Sequence, residues 1–235
     1  MKKIVSFIIL LLYFNTNAQS IKFKENNLKK ALIELGFDKN KNSQIEHSEI
    51  TDIQTLNISD KKIKSLEDLI HFKSLKELIA NGNLITDISI FFGNSVLEEL
   101  YLGDNKLGPE LIIKDIPNLK GLYAFRNDIK DFKFLSKLSN LKSLYIQGNP
   151  IVYLNIENLI NLESLQLFEC YDLKQIDLNK NTKIKQFFII DMKVKTIVSK
   201  DQNTNSVFLQ NIEDAKNPSQ IENLKVAPTI KIKKE

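Results

Sequence analysis

Cysteine and histidine are scarce in this chain of 235 residues, which contains one cysteine and two histidines. The single Cys170 cannot form an internal disulfide, so a hydrophobic core has to stabilise the fold. His47 and His71 have no plausible nucleophile partner in the sequence, and zinc-ligand spacings, phosphate-binding loops and Gly-x-Ser-x-Gly motifs do not occur. The sequence therefore predicts a protein that is not an enzyme.

Clusters of basic residues are also missing. The formal net charge is +4, and basic and acidic residues alternate along the chain. A nucleic-acid-binding protein needs a concentrated basic face, whereas alternating charges are typical of a solvated surface. The charge pattern therefore argues against nucleic acid as a partner.

The first eighteen residues have the pattern of a cleavable secretory signal. Lys2 and Lys3 precede an apolar run over residues 4–14, and Ala18 ends a pattern of small residues. The run is too short to span a bilayer, and a lipoprotein would carry a cysteine where Gln19 stands. We expect residues 1–18 to be a signal peptide and the mature chain to be secreted or periplasmic, without a transmembrane segment.

A repeat of about 22 residues occupies most of the chain. Pairs of leucines three positions apart recur at intervals of 22, 22, 22 and 21 residues, as Leu75/Leu78, Leu97/Leu100, Leu119/Leu122, Leu141/Leu144 and Leu162/Leu165. The register extends back to Ile53 and forward to Ile184, which gives about seven repeats over residues 53–205. We number the positions of each repeat from 0 at the first residue of the pair. Positions 0, 3 and 5 are then apolar.

An asparagine follows at position 8 in four successive repeats, as Asn83, Asn105, Asn127 and Asn149. The resulting pattern, L-x-x-L-x-L-x-x-N-x-L, resembles the leucine-rich-repeat family, and its length is similar to that of internalin-type repeats. The resemblance implies an α/β solenoid, a right-handed arc with parallel strands on its concave face and short helical or 3-10 segments on its convex face. The asparagine amides should bond to backbone groups of the adjacent turn.

The last two repeats depart from this pattern. Cys170 and Met192 replace the asparagine at position 8, and polar segments around Asn181 and over residues 201–205 replace apolar convex positions. Position 8 suits a small buried residue, so we expect Cys170 to be packed in the core. The convex side of these turns should be packed more loosely.

The segment before the first repeat, residues 19–52, is predicted to be a helical cap. Its apolar residues fall at helical spacing, and Gly36 provides a stop. These residues are Phe23, Leu28, Ala31, Leu32 and Leu35. Because an open solenoid end exposes core side chains, a capping element is required there.

A loop of the EF-hand pattern follows this predicted helix. Oxygen-bearing side chains stand at loop positions 1, 3 and 5 and a glutamate at position 12. The candidate calcium ligands are Asp38, Asn40, Asn42, Gln44 through its carbonyl, Glu46 and Glu49. Ser43 stands where the sharp turn prefers glycine, and the caps of internalin-like proteins resemble truncated EF-hands that keep their shape without metal. A calcium site and a purely structural cap are both compatible with the pattern.

Aromatic side chains are concentrated at strand positions that face outward in a leucine-rich-repeat arc. Strands about 4.8 Å apart would place the tyrosines of positions 4 in a ladder. The predicted partner-binding residues are Ile79, Tyr101, Tyr123, Phe125, Tyr145, Phe168 and Phe188. Contiguous exposed aromatics are typical of binding surfaces. Cross-strand stacking alone would stabilise the sheet by about 0.2–1 kcal/mol per pair.

These features predict a secreted binding module that recognises a protein, or else a glycan or peptide, through an aromatic concave surface. The alternative is a calcium-dependent structural or surface-assembly component. Residues 206–235 are predicted to form a C-terminal cap strand around Val207–Leu209, followed by a tail.

Overall fold

The computed structural model describes residues 20–190, 196–198 and 206–210. The predicted signal peptide, Met192 and the tail after residue 210 lie outside the described residues. The strands are β1 (Thr55–Asn57), β2 (Glu77–Ile79), β3 (Glu99–Tyr101), β4 (Gly121–Tyr123), β5 (Ser143–Tyr145), β6 (Ser164–Gln166), β7 (Gln175–Asp177), β8 (Gln186–Ile190), β9 (Thr196–Val198) and β10 (Ser206–Gln210).

Eight of the strands, all except β7 and β9, form one parallel sheet in chain order. Six turns of 21 or 22 residues lead from β1 to β8, and a shorter turn leads to β10. Each turn therefore lays its strand beside the strand of the previous turn. This confirms the predicted solenoid of parallel strands, and β10 confirms the strand predicted around Val207.

The strand register follows the repeat numbering. Leu78 is the register partner of both Leu56 and Leu100, and positions 3 and 5 of each turn are almost fully buried, as at Leu100 and Leu102. A single turn buries only a few such side chains, but the stacked turns share one continuous core. Alternation along each strand leaves the residues between them on the opposite face.

The asparagine ladder connects the turns as predicted. The side chain of Asn105 accepts a hydrogen bond from the Ile85 N–H (3.0 Å) and donates to the carbonyls of Ala80 (2.9 Å) and Leu102 (3.1 Å). The bonds of Asn83 and Asn149 follow the same offsets. Each amide thus satisfies backbone groups that would otherwise be buried without a partner.

Among the residues that the structure describes, two α-helices precede the first turn, α1 (Asn26–Glu34) and α2 (His47–Ile50). Helix α1 lies where the apolar spacing predicts it and buries Leu28, Ala31 and Leu32 in the same core as the repeats. A capping box formed by Glu46 and Glu49 starts α2. That this region caps the solenoid stays a prediction.

Two carboxylates, the buried one of Asp68 and the partly exposed one of Glu25, join the N-terminal segment to the first turn. Asp68, only 4% exposed, accepts hydrogen bonds from the backbone N–H groups of Lys24 and Glu25. In return the Glu25 carboxylate accepts from the N–H groups of Lys64 and Ser65. We call this reciprocal arrangement the carboxylate clamp.

The secondary structure on the side of the solenoid opposite the sheet changes along the chain. Three 3-10 helices lie there at Glu67–His71, Ser89–Phe91 and Lys133–Lys137, which agrees with the predicted short segments. In the last turns β7 pairs in parallel with β9 as a second, two-stranded sheet. The looser packing expected there is wrong at Asn181, which is fully buried and donates to the carbonyls of Ile156 and Leu159. Residues 201–205, for which the same was expected, lie outside the described residues.

Candidate binding surface on the sheet

The outward face of the eight-stranded sheet, which we call the outer sheet face, consists of repeat positions 2, 4, 6 and 7. Positions 3 and 5 point into the core, so these residues point away from it. Position 4 is occupied by Asn57, Ile79, Tyr101, Tyr123, Tyr145, Gln166 and Phe188. Position 6 is occupied by Ser59, Asn81, Gly103, Phe125, Gln147 and Phe168.

Three tyrosines form a stack on this face. Tyr101, Tyr123 and Tyr145 are register partners on β3, β4 and β5. The rings of Tyr101 and Tyr123 are parallel with centroids 4.0 Å apart, whereas Tyr123 and Tyr145 meet edge to face at 4.9 Å. All three rings are partly exposed. The stack therefore stabilises the sheet and also presents an aromatic surface to solvent.

The hydroxyls of Tyr101 and Tyr123 are held in their protonated form. Burial is the main reason that the pKa of Tyr123 is raised, and burial together with the nearby carboxylates raises the pKa of Tyr101. The Tyr145 hydroxyl lies 3.1 Å from the Ser164 hydroxyl. Neutral hydroxyl groups on a partly buried aromatic stack can both donate and accept hydrogen bonds to a partner.

The structure brings together only part of the predicted set. Ile79 is the register partner of Tyr101 and so extends the tyrosine stack by one strand. Gln166 lies between Tyr145 and Phe188 and separates Phe188 from the stack. In the neighbouring row, position 6, the buried Gln147 separates the two phenylalanines of the prediction, Phe125 and Phe168.

A glycine makes room for Phe125. A Cβ atom on Gly103 would lie 2.1 Å from the Cζ atom of the Phe125 ring, so the ring lies directly over Gly103. Any larger residue at position 103 would displace the ring. The glycine thus fixes the orientation of one predicted contact residue.

Position 7 has a left-handed backbone in six successive turns, with φ between 48° and 67°. These residues are Asp60, Gly82, Asp104, Arg126, Gly148 and Glu169. The repeated conformation sets three acidic side chains and the only arginine of the chain in one row. The sequence analysis missed this shared conformation, whose signal is the recurrence of glycine and aspartate at this position.

Arg126 is held loosely between two carboxylates of this row. Its guanidinium nitrogens lie 3.9 Å from Asp104 Oδ1 and 3.9 Å from Glu169 Oε2. Gly148 provides the space, because a Cβ atom there would lie 2.9 Å from the Arg126 Cγ. At these distances the contacts are ion pairs and not hydrogen bonds.

Two glutamates face each other beside the tyrosine stack. Glu77 and Glu99 are register partners at position 2 of β2 and β3. Oε2 of Glu99 is buried without a hydrogen-bond partner and would lie 1.7 Å from a Cβ atom on Gly121. Burial, and secondarily the charge of Glu77, raises the pKa of Glu99, while Tyr123 acts in the opposite direction.

The predicted calcium loop folds on its own hydrogen bonds. Asp38 accepts from the N–H groups of Asn42 and Ser43, and Glu49 accepts from those of Lys39 and Glu46. The amide groups of Asn40 and Asn42 donate to Glu46, while Gln44 accepts from Lys29. The candidate ligands are thus brought together in one hydrogen-bonded loop.

The acidic side chains of the loop are engaged by its own backbone. Ser43 has φ 63°, the left-handed turn that the pattern reserves for glycine, so the backbone follows the predicted course. The carboxylate oxygens, however, point at backbone N–H groups, and no group of three or more acidic, histidine or cysteine side chains in the described part of the chain is arranged to hold a metal. A calcium site stays a prediction.

Cys170 takes the place of an asparagine in the ladder. Its thiol is fully buried, and Sγ lies 3.7 Å from the carbonyl oxygens of Ile146 and Phe168. Burial raises the pKa of the thiol to about 12. A protonated, buried thiol is a poor nucleophile, which agrees with the predicted packing role.

The two histidines are in contact, although they lie on different elements and far apart in the sequence. The rings of His47 on α2 and His71 on the first 3-10 helix make an edge-to-face contact with centroids 5.0 Å apart. Burial is the main reason that the pKa of His71 is lowered, and the charges of His47 and Lys73 add to this effect against that of Asp68. The neutral ring is therefore favoured in the folded protein.

We expect the free energy of unfolding to fall as the pH decreases through about 6.5, the ordinary histidine pKa. The unfolded chain binds a proton there more readily than the folded chain, whose His71 pKa is lowered. Replacement of His71 by phenylalanine should remove much of this dependence. Urea unfolding of the wild type and the variant between about pH 7.5 and 5.5 measures this dependence. The prediction would be contradicted if the unfolding free energy changed equally with pH in both proteins.

Comparisons with known proteins agree with this geometry. A family model for two copies of leucine-rich repeats matches residues 117–161. The functional domain of InlJ from Listeria monocytogenes superposes with a TM-score of 0.66 at 16% identity, over 83% of this chain and 44% of that one. Internalin C2 from Listeria monocytogenes gives a TM-score of 0.57 at 21% identity, over 82% of this chain and all of that one.

The chain has an internalin-like leucine-rich-repeat fold. A third structure of this type, the internalin InlF of Listeria monocytogenes, gives a TM-score of 0.51 at 20% identity, with 80% of this chain and 56% of that chain covered.

A curated relative extends the likeness to another organism. The tubulin-specific chaperone E of Dictyostelium discoideum is 31% identical over 142 residues, or 57% of this chain. The internalin-like chain spans only a quarter of that relative. In the described part of the chain no helix is long and apolar enough to cross a membrane.

Proposed function

We propose that this chain is a secreted or periplasmic binding module that engages another protein through the aromatic residues of the outer sheet face. The proposal depends chiefly on the stack of Tyr101, Tyr123 and Tyr145, whose rings are partly exposed on neighbouring strands. The core is complete without them, since positions 3 and 5 already fill it. Aromatic side chains contribute large contact area at low entropic cost.

The interaction-module character of internalin-like solenoids supports this proposal. The export of the chain is proposed from residues 1–18, which carry the pattern of a secretory signal. The tyrosine stack, with Ile79 beside it, gives the face a continuous apolar strip across four strands. A partner that covers this strip would bury it from water.

We expect the triple variant Tyr101→Ala, Tyr123→Ala, Tyr145→Ala to lose its partner. Purified residues 19–235 would be used for cross-linking and affinity capture from the surroundings of the producing cell, with circular dichroism to verify that the variant is folded. Loss of two or three aromatic anchors typically weakens an interface by about 2 kcal/mol or more, enough to abolish capture of a micromolar partner.

The matched control changes two other exposed tyrosines. Tyr153 and Tyr171 are 71% and 58% exposed and lie outside the outer sheet face. The double variant Tyr153→Ala, Tyr171→Ala should retain the partner. Retention by the triple variant and loss by the control would instead place the binding surface away from the strands.

A calcium-dependent structural role is the alternative, and the loop around Asp38 permits a clear test. Because Asp38 and Glu49 already accept hydrogen bonds from the loop backbone, the loop should fold without metal. We expect the melting temperature to be the same in chelator and in buffer with millimolar calcium. A metal that binds only the folded state raises the melting temperature, so a clear rise with calcium that Glu49→Gln abolishes would favour the alternative.

A further inference from the structure

Lysine is absent from the outer sheet face, although the chain is rich in it. The chain has 33 basic residues, of which Arg126 is the only arginine. None of the 32 lysines stands at positions 2, 4, 6 or 7 of the described turns. The face instead carries five acidic side chains and one basic side chain, a formal net charge of −4, on a chain whose formal net charge is +4. The acidic residues are Asp60, Glu77, Glu99, Asp104 and Glu169.

These charges are distributed unequally along the solenoid. Arg126 forms ion pairs with Asp104 and Glu169 and so offsets the negative charge on the later turns. The first three turns retain Asp60, Glu77 and Glu99, none of which has an ion pair among the described residues. The negative potential of the outer sheet face is therefore concentrated over β1 to β3.

The pair formed by Glu77 and Glu99 is unfavourable in the free protein. Like charges directly opposite on neighbouring strands destabilise a sheet, and these two residues are register partners. Glu77 has a hydrogen bond from the Thr55 hydroxyl (3.1 Å). Oε2 of Glu99 is buried without a donor, and the Tyr123 hydroxyl is the hydrogen-bond donor that lowers the pKa of the Glu99 carboxyl against its burial. Lys120, whose charge reaches Glu99, is bound to Glu98 at 2.5 Å. A cation bound beside Glu77 and Glu99 would relieve their repulsion.

The tyrosine stack lies next to this pair. Glu99 and Tyr101 are two residues apart on β3 and therefore point to the same side of the sheet. Burial chiefly, and then the charges of Glu99 and Glu77, raise the pKa of Tyr101, while a hydrogen bond with Tyr123 acts in the opposite direction. Aromatic rings beside carboxylates are the environment that suits an ammonium or guanidinium group, through cation-π contact and charge-assisted hydrogen bonds.

We propose that the outer sheet face over β1 to β4 binds an extended, basic protein segment, with Glu77 and Glu99 receiving a lysine or arginine head group and Tyr101 and Tyr123 packing on its aliphatic stem. This inference rests on the proposed function and specifies the chemistry of the partner. An acidic segment would be repelled by the same carboxylates. A neutral glycan would use the rings but would leave the two carboxylates opposed.

The test uses two labelled probes that differ only in charge, a peptide of alternating lysine and serine and its counterpart of alternating glutamate and serine. Fluorescence anisotropy with residues 19–235 should show binding of the lysine peptide alone. The binding should weaken with salt, as contacts between exposed charges do. The double variant Glu77→Gln, Glu99→Gln should raise the Kd by about tenfold. The same variant should have a higher melting temperature, because it removes the opposed charges.

The control double variant is Glu98→Gln, Glu163→Gln. These glutamates are already paired with Lys120 and Lys185 and lie outside the outer sheet face. The control should bind the lysine peptide as the wild type does. Equal binding of both peptides, or equal loss in both double variants, would overturn the inference.

The outcome also separates this inference from the proposed function. If the tyrosine triple variant loses its captured partner while the Glu77→Gln, Glu99→Gln variant keeps it at full affinity, the binding module stands and the basic partner is wrong. If neither variant affects capture, the proposed function itself fails. Dimerisation through the lysines of a second copy would appear as concentration-dependent mass in the wild type and would also overturn the inference.

Discussion

The variant Asn105→Ala is expected to lose about 3–5 kcal/mol of unfolding free energy. Asn105 is 5% exposed, and its side chain bonds to the Ile85 N–H and to the carbonyls of Ala80, Leu102 and Gly103. Alanine leaves the Ile85 N–H buried without a partner, which costs about 1–3 kcal/mol. It also removes the bonds to the three carbonyls, of which Ala80 keeps the Asn83 amide as a donor, and each lost bond costs about 0.5–1.5 kcal/mol. Urea unfolding followed by circular dichroism measures the loss.

The chain itself offers a graded comparison for this variant. Cys170 occupies the same repeat position and donates weakly to two carbonyls at 3.7 Å, so Asn105→Cys should be destabilised less than Asn105→Ala. Asn118, which is exposed and donates one bond to the Ser95 carbonyl, is the control. Asn118→Ala should lose less than about 1 kcal/mol. Equal losses at Asn105 and Asn118 would show that the ladder is not structural.

The sequence predicted the solenoid well because each repeat encodes the same few contacts. Leucines at positions 0 and 3 determine which side of each strand is buried, and Asn83 and its equivalents reveal where the chain leaves the strand. These signals recur at a fixed interval, so one repeat corroborates the next. The strand register, the asparagine bonds and the position of helix α1 could therefore be predicted without the structure.

The candidate surface could be predicted only as a row of positions. The ring orientations of Tyr101, Tyr123 and Tyr145, one pair parallel and the other edge to face, depend on packing between side chains. The separation of Phe188 from the stack by Gln166, in contrast, already follows from the repeat numbering, because Gln166 occupies position 4 between Tyr145 and Phe188. Contacts between distant parts of the chain, such as that of His47 with His71, leave no periodic signal in the sequence.

The last turns show why a departure from the repeat was misjudged. Polar residues at convex positions suggested loose packing, but Asn181 is buried and bonds to carbonyls of the preceding turn. An asparagine can satisfy two buried backbone groups, so a polar residue at a core position is not evidence of a gap.

The second large effect is expected for Asp68→Ala in the carboxylate clamp. The buried Asp68 carboxylate accepts from the N–H groups of Lys24 and Glu25, with distances of 2.8–3.1 Å. Hydrogen bonds to a charged group contribute about 1.5–3 kcal/mol each. We expect Asp68→Ala to lower the unfolding free energy by about 2–4 kcal/mol, as measured by urea unfolding. Asp68→Asn, which keeps one acceptor oxygen, should lose less.

The control for this variant is Asp87→Ala. Asp87 is exposed and accepts only from the backbone and hydroxyl of Ser89, two residues away, so its loss should stay below about 1 kcal/mol. A loss at Asp68 no greater than at Asp87 would mean that apolar contacts alone attach the N-terminal segment.

The clamp also predicts how the two carboxylates act together. Glu25 bonds to the Lys64 and Ser65 N–H groups of the first turn, while Asp68 of that turn bonds back to the Glu25 backbone. Once the hydrogen bonds of one carboxylate are removed, those of the other should contribute less to stability. The double variant Glu25→Ala, Asp68→Ala should therefore lose less unfolding free energy than the sum of the losses in the two single variants. Because α1 shares its core with the first repeats, release of the clamp should speed hydrogen exchange in α1 and in the first turn together. Faster exchange in α1 alone would show that the N-terminal segment is an independent unit and does not stabilise the end of the solenoid.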